Sequence, residues 1–437
     1  METEWPLSSL DHAGESIVLH RSRYSFSAAP AHFIQSPNLT MMIDSAKALE
    51  QFIELTAIPG RSGEEADVAR QITAWLTAAG VPPRDIIQDE ANQHSRIGGN
   101  CGNLIVTLHG DDSLPRTMLS AHMDTVPVCL GAQPIVRNDP SLGNIVTSSA
   151  DTGLGADDRS GCAAIVTAIE ARLQYARENP DARLPPAVAT FLIQEEIGLV
   201  GARYLDRRLV GKVDQAFNFD GGTMDKIRHG AIGGERMQIL IRGHASHAGV
   251  APEKGVNAIV IAAKAIAELK DRGLMGLIEI DGKRGTSNVG VIAGGEATNV
   301  VTPEVTLKVE ARSHDGAFRS WIVEQIRHAF ETAAREVRDD SGRHGTIEWT
   351  SQVDYEAFAL PEDHPSVLQA THRLRQMGYD SKCEVANGGL DANWLFQHGI
   401  AAVTLGCGQA AIHTVDEHLL VDHYLAACRF AAEVLIS

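Results

Sequence analysis

The sequence predicts an α/β fold interrupted by an inserted domain of the ferredoxin-like α+β type. Helical and strand patterns alternate through most of the chain, which is typical of a three-layer α/β/α domain. Between residues 233 and 352 the order changes to βαββαβ, the split-βαβ arrangement, and the alternation then returns for residues 353–437. A chain of 437 residues can form two hydrophobic cores, so we expect the α/β domain to be discontinuous in sequence.

Residues 41–232 predict the first part of the α/β domain. Apolar side chains recur there at helical spacing in two segments, which Pro59 and Gly60 separate. Residues 187–194 are almost entirely apolar, as expected of a strand whose sheet is covered on both faces. The other expected elements are helices at 44–55, 64–79, 160–175 and 200–209 and strands at 103–108, 117–121, 144–148 and 215–219.

The inserted domain and the last segment follow from the same patterns. For the insertion we expect strands at 237–242, 287–293, 305–311 and 346–353 and helices at 257–270 and 318–337. For the last segment we expect helices at 365–377, 391–397 and 416–435 and strands at 382–386 and 401–405. Residues 1–40 show no sustained period, and we expect a poorly ordered N-terminal extension.

Composition excludes some classes of function. The net charge of −18 argues against nucleic-acid binding, which requires a basic surface, and against an anionic membrane surface. The six cysteines include no Cys-x-x-Cys pair, so we expect reduced thiols and no thiolate metal site. No apolar segment has transmembrane length and no secretory signal is evident. A cytoplasmic protein is therefore the default expectation.

Polar residues follow several of the predicted strands. His122 and Asp124 end the strand over 117–121, and their alternate spacing lets them face one site. Such a pair alone is more often an ordinary hydrogen-bonded pair. Asp157 and Asp158 follow a glycine-rich turn, where a turn residue and a helix cap are the simplest interpretation.

Two adjacent carboxylates, Glu195 and Glu196, follow the apolar strand over 187–194. Buried charge without a partner is unfavourable, and a metal ion would offset that cost. Asp220 follows the next strand, where a plain turn residue is equally expected. His413 precedes the last helix, where a lone histidine is usually a cap or a surface residue.

Together these residues predict a site for two divalent metal ions. Two histidines and at least three carboxylates, each at a strand end, can hold two ions with one carboxylate bridging them. Nitrogen and oxygen ligands without thiolates suit zinc, with manganese or cobalt as alternatives. Such a site clamps a water molecule and polarises a carbonyl group.

The motifs resemble those of a known family. They are His-Met-Asp-Thr-Val, Gly-Ala-Asp-Asp-Arg-Ser-Gly, Gln-Glu-Glu-Ile-Gly, Phe-Asp-Gly-Gly, Ala-Ser-His-Ala-Gly and a late His-Thr. From about residue 44 onwards the chain resembles the co-catalytic dizinc metallopeptidases, which include peptidase T, glutamate carboxypeptidases, aminoacylases and carnosinases. It is most similar to the peptidase T-like, or tripeptide aminopeptidase, branch. The resemblance implies a zinc-peptidase-type catalytic domain with an inserted lid that often mediates dimerisation.

The resemblance assigns roles residue by residue. It places His122 and Asp220 on one zinc and Glu196 and His413 on the other, with Asp157 as the bridge. It implies that the peptide bond after Asp157 is cis. Asp124 would orient His122, and Glu195 would take a proton from the water and pass it to the leaving amine.

Three residues of the inserted domain also match the family pattern. His247, in Ala-Ser-His-Ala-Gly, would stabilise the oxyanion, frequently from the partner subunit. Asn299 and Arg312 would hold the substrate, since a guanidinium group suits a carboxylate. For Arg312 an ion pair at a strand edge is the alternative. His244 and His314 are interpreted as structural.

The resulting hypothesis is a zinc-dependent exopeptidase of tripeptide aminopeptidase type that hydrolyses short peptides through a metal-bridged hydroxide and forms a homodimer through its lid. The alternatives on the same site are a hydrolase of N-acyl amino acids and a dipeptidase. A non-catalytic binding homologue would lack a ligand or Glu195, and both are present. A purely structural metal would have all its coordination positions filled by protein ligands, with no uncoordinated carboxylate beside it. The presence of Glu195 argues against such a site.

Overall fold

The computed structural model describes residues 43–437, so the predicted N-terminal extension lies outside the described residues. None of the described helices combines the length and apolarity needed to cross a membrane. The helices are α1 Ser45–Ala57, α2 Ala66–Ala79, α3 Ala156–Glu178, α4 Val200–Arg203, α5 Arg207–Val210, α6 Ala258–Asp271, α7 Gly316–Glu336, α8 Pro365–Gln376, α9 Asp391–Gln397 and α10 Val421–Ile436.

The strands belong to three sheets. In chain order they are β1 Ile86–Gln88, β2 Leu104–Leu108, β3 Thr117–His122, β4 Pro134–Asp139, β5 Gly143–Ser148, β6 Ala187–Leu192, β7 Gln215–Phe219, β8 Lys226–Ala231, β9 Gly233–Arg242, β10 Gly276–Ile280, β11 Lys283–Gly294, β12 Glu304–Ser313, β13 Thr346–Tyr355, β14 Phe358–Ala359, β15 Lys382–Ala386, β16 Ala402–Leu405, β17 Gln409–Ala410 and β18 His418–Leu420.

The central sheet of the α/β part is mixed, which confirms the predicted fold class. Its order is β1-β2-β6-β3-β7-β16-β8-β14, with β15 paired to β8. The neighbours β6, β3, β7 and β16 run parallel. Every residue of β6 is buried, as its apolar sequence predicts. The core of this part includes residues from 48 to 231 and from 358 to 435, so the chain leaves it and returns.

The inserted part is a five-stranded antiparallel sheet in the order β10-β11-β12-β9-β13. Helices α6 and α7 pack on it and form a separate core with its apolar residues. Without β10 this is the predicted βαββαβ arrangement. The extra strand forms a hairpin with β11 through Asp281 and Gly282, both at positive φ, and an Asp-Gly pair favours such a two-residue turn.

Two predicted helices are wrong in detail. The helix predicted over 200–209 is two short helices, because the side chain of Asp206 accepts a hydrogen bond from the Arg208 backbone and caps α5 separately. The last helix begins at Val421, five residues later than predicted. The preceding residues form β18 instead, which pairs with β5 in a small sheet of order β17-β18-β5-β4.

The predicted domain limits at residues 233 and 352 stay predictions. Strand β9 begins at Gly233, while the sheet of the inserted part continues to Tyr355. Hereafter the part from β9 to β13 is called the lid. It is inserted in the chain between β8 and β14 of the central sheet, and its residues Arg236, Gln352 and Asp354 line a cleft together with Glu196.

Candidate metal centre

Three neighbouring parallel strands bring polar residues to one edge of the central sheet. His122 is the last residue of β3, Glu195 and Glu196 follow β6, and Asp220 follows β7 directly. Parallel strands end at the same edge, and ligand sites of open α/β sheets lie beyond these carboxyl ends. The apolar pattern that buries each strand therefore also determines where the polar residues at its carboxyl end lie.

Asp157 lies between two histidines. Its Oδ1 is 3.1 Å from His122 Nε2 and its Oδ2 is 3.3 Å from His413 Nε2. Asp157 is near the start of α3, where its peptide bond to Asp158 is cis, as the resemblance implies. His413 comes from the loop between β17 and β18 with φ of 63°. A carboxylate with each oxygen facing a different imidazole has the arrangement expected of a bridge.

The two remaining predicted ligands complete the group. His413 Nε2 is 3.0 Å from Glu196, and His122 Nε2 is 3.9 Å from Asp220 Oδ1. Donor atoms of His122, Asp157 and Glu196 all lie within 4.8 Å of one another. We call these five residues the metal-ligand cluster: His122, Asp157, Glu196, Asp220 and His413.

The electrostatics of the metal-ligand cluster fit divalent cations. Burial, followed by the neighbouring carboxylate of Asp157, raises the pKa of Asp220 to about 7. Burial likewise raises the pKa of Glu196. Side-chain hydrogen bonds to Asp157 and Glu196 raise the pKa of His413 to about 10. Burial removes water from these carboxylates, and their negative charges repel one another. Bound cations would offset both unfavourable effects. Their nitrogen and oxygen donors suit zinc, manganese or cobalt.

Asp158 also lies close to the cluster, since its donor atoms group with those of His122 and Asp220. Its carboxylate is already occupied, however. Oδ2 accepts from the His122 backbone at 3.1 Å, and Oδ1 accepts from Gly161 N at 3.1 Å and Gln409 Nε2 at 2.9 Å. Asp158 is therefore a helix cap that also holds β3, which agrees with its interpretation from the sequence.

Asp124 connects two parts of the site. It is fully buried, and its Oδ1 is 3.3 Å from His122 Nδ1. The same carboxylate accepts from Ser62 Oγ at 2.7 Å and from the backbone N–H groups of Glu195 at 2.9 Å and Glu196 at 3.3 Å. One side chain thus faces the imidazole behind the cluster and holds the turn that carries both glutamates.

The carboxylate of Glu195 has no hydrogen-bond or ion-pair partner among the residues that the structure describes. It lines a cleft of about 560 Å³ together with Asp157, Glu196 and Asp220. Burial, and then the carboxylates of Asp220 and its neighbours, raise its pKa well above the usual range, against the lowering effect of His122. A half-buried carboxylate with a raised pKa beside a metal site is chemically suited to accept and return a proton.

Sequence reasoning missed a buried carboxylate, Glu417. Its Oε2 accepts from the backbone N–H groups of Leu154 at 3.0 Å and Gly155 at 2.8 Å and from Cys129 Sγ at 3.1 Å. Its Oε1 accepts from Asp157 N at 3.1 Å. Glu417 therefore holds the turn that presents Asp157. The only sequence signal was an acidic residue four positions after His413.

The three lid residues predicted to act on the substrate do not line the cleft around the cluster. His247 is exposed, and Asn299 is exposed on the adjoining segment, where its carbonyl accepts from Ala248 N at 2.9 Å. Arg312 forms an ion pair with Glu310 on its own strand at 3.0 Å. Their assigned roles stay predictions.

Sequence comparisons agree with this geometry. Residues 228–338 match the family model described as a peptidase dimerisation domain. Residues 103–242, which include four of the five candidate ligands, match the model of peptidase family M28. The uncharacterized protein YqjE of Bacillus subtilis is 32% identical over 395 residues, covering 90% of this chain and 99% of that protein.

Two solved structures share both fold and sequence with this chain. A tripeptidase of Staphylococcus aureus superposes with a TM-score of 0.79 at 30% identity and covers 90% of this chain and 98% of its own. The aminopeptidase PepT of Bacillus cereus superposes with a TM-score of 0.76 at 31% identity, with coverage of 90% and 98%. Both combine near-complete coverage with substantial identity.

Proposed function

This chain belongs to the dizinc metallopeptidase family that includes peptidase T, and from that premise we propose that it is an aminopeptidase of tripeptidase type acting on short peptides. The relatives named peptidase T, tripeptidase and aminopeptidase support a metallo-exopeptidase. The observation that carries the proposal is the position of Asp157 between His122 and His413, with the free carboxylate of Glu195 in the same cleft.

The metal-ligand cluster would hold two divalent ions. His122 and Asp220 would bind one ion, Glu196 and His413 the other, and Asp157 would bridge them. When bound, the ions would polarise the scissile carbonyl and lower the pKa of a water molecule. Zinc as the ion and the cytoplasm as the location are predictions from the sequence, and both belong to this proposal.

Glu195 supplies the base. Its carboxylate takes a proton from the attacking water and delivers it to the nitrogen of the leaving amine. Asp124 acts through two neighbours: it faces His122 Nδ1 at 3.3 Å, which orients the ring, and it accepts the Glu195 backbone N–H at 2.9 Å. Contacts of this kind, made to residues beside the metal site, fix the positions of the candidate ligand His122 and the base Glu195 relative to each other.

The lid would complete the site and form a homodimer. Among the large apolar side chains that its surface exposes, we call six the lid edge: Val250, Ile259, Val260, Val291, Ile292 and Val300. They are contributed by neighbouring segments, since residue 247 forms a β-bridge with Val300 and Ile259 lies beside Gly295. An exposed apolar patch of this kind marks an interaction surface. His247 adjoins this patch, which supports its action in the partner subunit.

Asn299 and Arg312 would bind the substrate from the lid. Arg312 projects from β12 at a position opposite Gly234 of β9, and its fork of N–H donors suits the terminal carboxylate of a peptide. Its present partner, Glu310, lies two residues away on the same strand. The side chain can exchange this partly exposed ion pair at modest cost, because ion pairs near the surface contribute only about 0–1 kcal/mol.

A matched peptide panel tests the proposal. Protein loaded with zinc, manganese or cobalt is assayed on Ala-Ala, Ala-Ala-Ala and Ala-Ala-Ala-Ala, on N-acetylated Ala-Ala-Ala and on N-acetyl-alanine. We expect the free tripeptide to be cleaved fastest, with alanine released from its amino end. Hydrolysis of the N-acetylated compounds alone would overturn the aminopeptidase and support the N-acyl hydrolase. Preference for Ala-Ala would indicate a dipeptidase.

A further inference from the structure

A second cleft lies on the other side of Glu196 and is lined by arginines. It measures about 820 Å³ and lies between the catalytic part and the lid. Arg61, Arg96 and Arg203 contribute from the catalytic part, and Arg236 contributes from β9 of the lid. A peptide whose scissile bond lies at the metal-ligand cluster can extend past Glu196 into this space. A cluster of four guanidinium groups in one cleft is unusual in a chain with a net charge of −18.

Only two of these arginines are neutralised. Arg61 pairs with Glu64 at 2.8 Å, and Arg236 Nε is 3.1 Å from Asp354 Oδ2. Arg96 donates to the side-chain amide of Gln352 on the lid. The carboxylates of Glu64, Glu196 and Asp354 also line the cleft. Within the described part of the chain, however, neither Arg96 nor Arg203 forms a salt bridge, so these two guanidinium groups have no direct ion-pair partner.

Arg203 is held in place by aromatic stacking. Its guanidinium carbon is 4.9 Å from the ring centre of Trp394 and 5.4 Å from that of Tyr204. The Trp394 Nε1–H donates to the carbonyl of Asp354 at 2.9 Å, which ties this stack to the carboxylate that faces Arg236. Stacking on a ring leaves the edge of a guanidinium group free to donate. The guanidinium N–H donors of Arg203 are therefore already oriented for binding.

Arg312 belongs to the same surface of the lid. It pairs in register with Gly234, and Arg236 is two residues further along β9, so both side chains project from one face of the sheet. The charges of Arg236, Arg203, Arg96 and Arg312 all act on Asp354, which is almost completely buried. If Arg312 takes the terminal carboxylate of a peptide, as proposed above, Arg96 and Arg203, which form no ion pair among the described residues, are available for a second carboxylate.

We propose that this cleft binds the carboxyl-terminal side of the peptide and selects an acidic side chain there, through Arg96 and Arg203. This inference rests on the proposed peptidase function. The preferred substrates are short peptides with two carboxylates beyond the scissile bond, one at the terminus and one on glutamate or aspartate. Charge-assisted pairing of a carboxylate with a guanidinium fork supplies the selectivity.

The test compares Ala-Ala-Glu with Ala-Ala-Gln, which differ by one charge at nearly constant shape. For the metal-loaded wild type we expect kcat/KM to favour the glutamate peptide by about tenfold, the effect of one charge-assisted hydrogen bond. Arg96→Gln and Arg203→Gln should each reduce this ratio, mainly through KM. Arg327→Gln makes the same charge change on the exposed face of α7 and should keep the wild-type ratio.

Each outcome decides the inference. Equal kcat/KM for the two peptides in the wild type, or an undiminished ratio in the Arg96→Gln and Arg203→Gln variants, overturns it. Amidated Ala-Ala-Glu separates the carboxylates: it should keep a preference over amidated Ala-Ala-Gln. If no peptide is hydrolysed, the proposed function fails instead. Calorimetric binding of the same two peptides to the metal-loaded protein then tests the cleft alone, and equal affinities overturn it.

Discussion

The metal-ligand cluster and the lid edge depart from ordinary folding rules in opposite directions. The cluster buries carboxylates, as at Asp157 and Asp220, which are 6% and 8% exposed. The lid edge exposes aliphatic side chains, as at Val250 and Ile292, which are 77% and 53% exposed. Buried charge without a partner costs several kcal/mol, and exposed apolar surface forgoes about 25 cal/mol per Å².

The difference indicates what each region binds. An excess of buried negative charge favours binding of a compact cation, whereas an excess of exposed apolar area favours contact with another surface. Glu195 belongs to neither arrangement, because it is acidic and half-buried but its described carboxylate forms no hydrogen bond or ion pair with the cluster. Its charge is therefore available for proton transfer. The following substitutions test this division of roles, starting with the largest expected effect.

Glu195→Gln should separate catalysis from metal binding. We expect kcat to fall by about 10²–10⁴-fold, the usual contribution of a general base, while both metal ions remain bound. Steady-state kinetics and elemental analysis of the same sample check this. Glu90→Gln, an exposed carboxylate elsewhere, is the control and should keep wild-type turnover. An active Glu195→Gln variant would show that another group takes the proton.

Ile292→Asp should disrupt the interface at the lid edge. A charge placed in an apolar interface occurs twice in a symmetric dimer, so we expect the dimer to dissociate at least about 100-fold more readily. Sedimentation equilibrium measures the change. Leu368→Asp is the matched control, because Leu368 is 47% exposed on α8, outside the lid. A monomeric wild type, or an unchanged dimer in the variant, would contradict the assignment of this surface.

Glu417→Gln should weaken metal binding without touching a ligand. The amide replaces an acceptor with a donor that faces the backbone N–H groups which Glu417 now holds, so the turn carrying Asp157 should shift. We expect about 10–100-fold weaker metal affinity, measured by competition with a chelator. Asp416→Asn changes the exposed neighbouring carboxylate and should retain the wild-type affinity. Equal affinities in both variants would assign Glu417 a purely structural role.

Glu65→Gln should change how stability depends on pH. Burial, and then the neighbouring carboxylate of Asp124, raise the pKa of Glu65 to about 7, above the value near 4.5 expected when unfolded. The protonated form is thus favoured in the fold, so the wild type loses stability as pH rises through this window. Between about pH 5.5 and 8 the free energy of unfolding of the wild type should fall by ~2 kcal/mol more than that of the variant. Urea unfolding of the metal-free proteins measures it, and parallel pH curves would contradict the assignment.

Most of the site could be predicted from the sequence because its residues are tied to strand ends. His122, Glu196 and Asp220 each follow an apolar segment, and the buried strands lie parallel and side by side. Local periodicity therefore locates the candidate ligands at these strand ends as well as the strands. The same reasoning located the lid from its βαββαβ order, although it missed β10, whose Asp-Gly turn was visible in the sequence.

Contacts between distant segments could not be predicted in this way. Glu417 holds a turn some 260 positions earlier in the chain, and no local pattern distinguishes it from a surface carboxylate. The residues 418–420 looked like the start of a helix and became a strand, because the edge of β5 offered backbone partners. Tertiary pairing overrides local propensity when it satisfies more hydrogen bonds.

The sequence by itself indicated the two kinds of domain and most of their longer elements, since period and burial are encoded within short segments. It indicated the five candidate ligands through motifs that resemble those of a known family. The tertiary structure alone decided that Asp157 faces both histidines, that Glu417 holds its turn, and that Arg96, Arg203 and Arg236 line one cleft. These arrangements depend on distances between segments far apart in the chain, and such distances are set only when the sheet and the lid pack together.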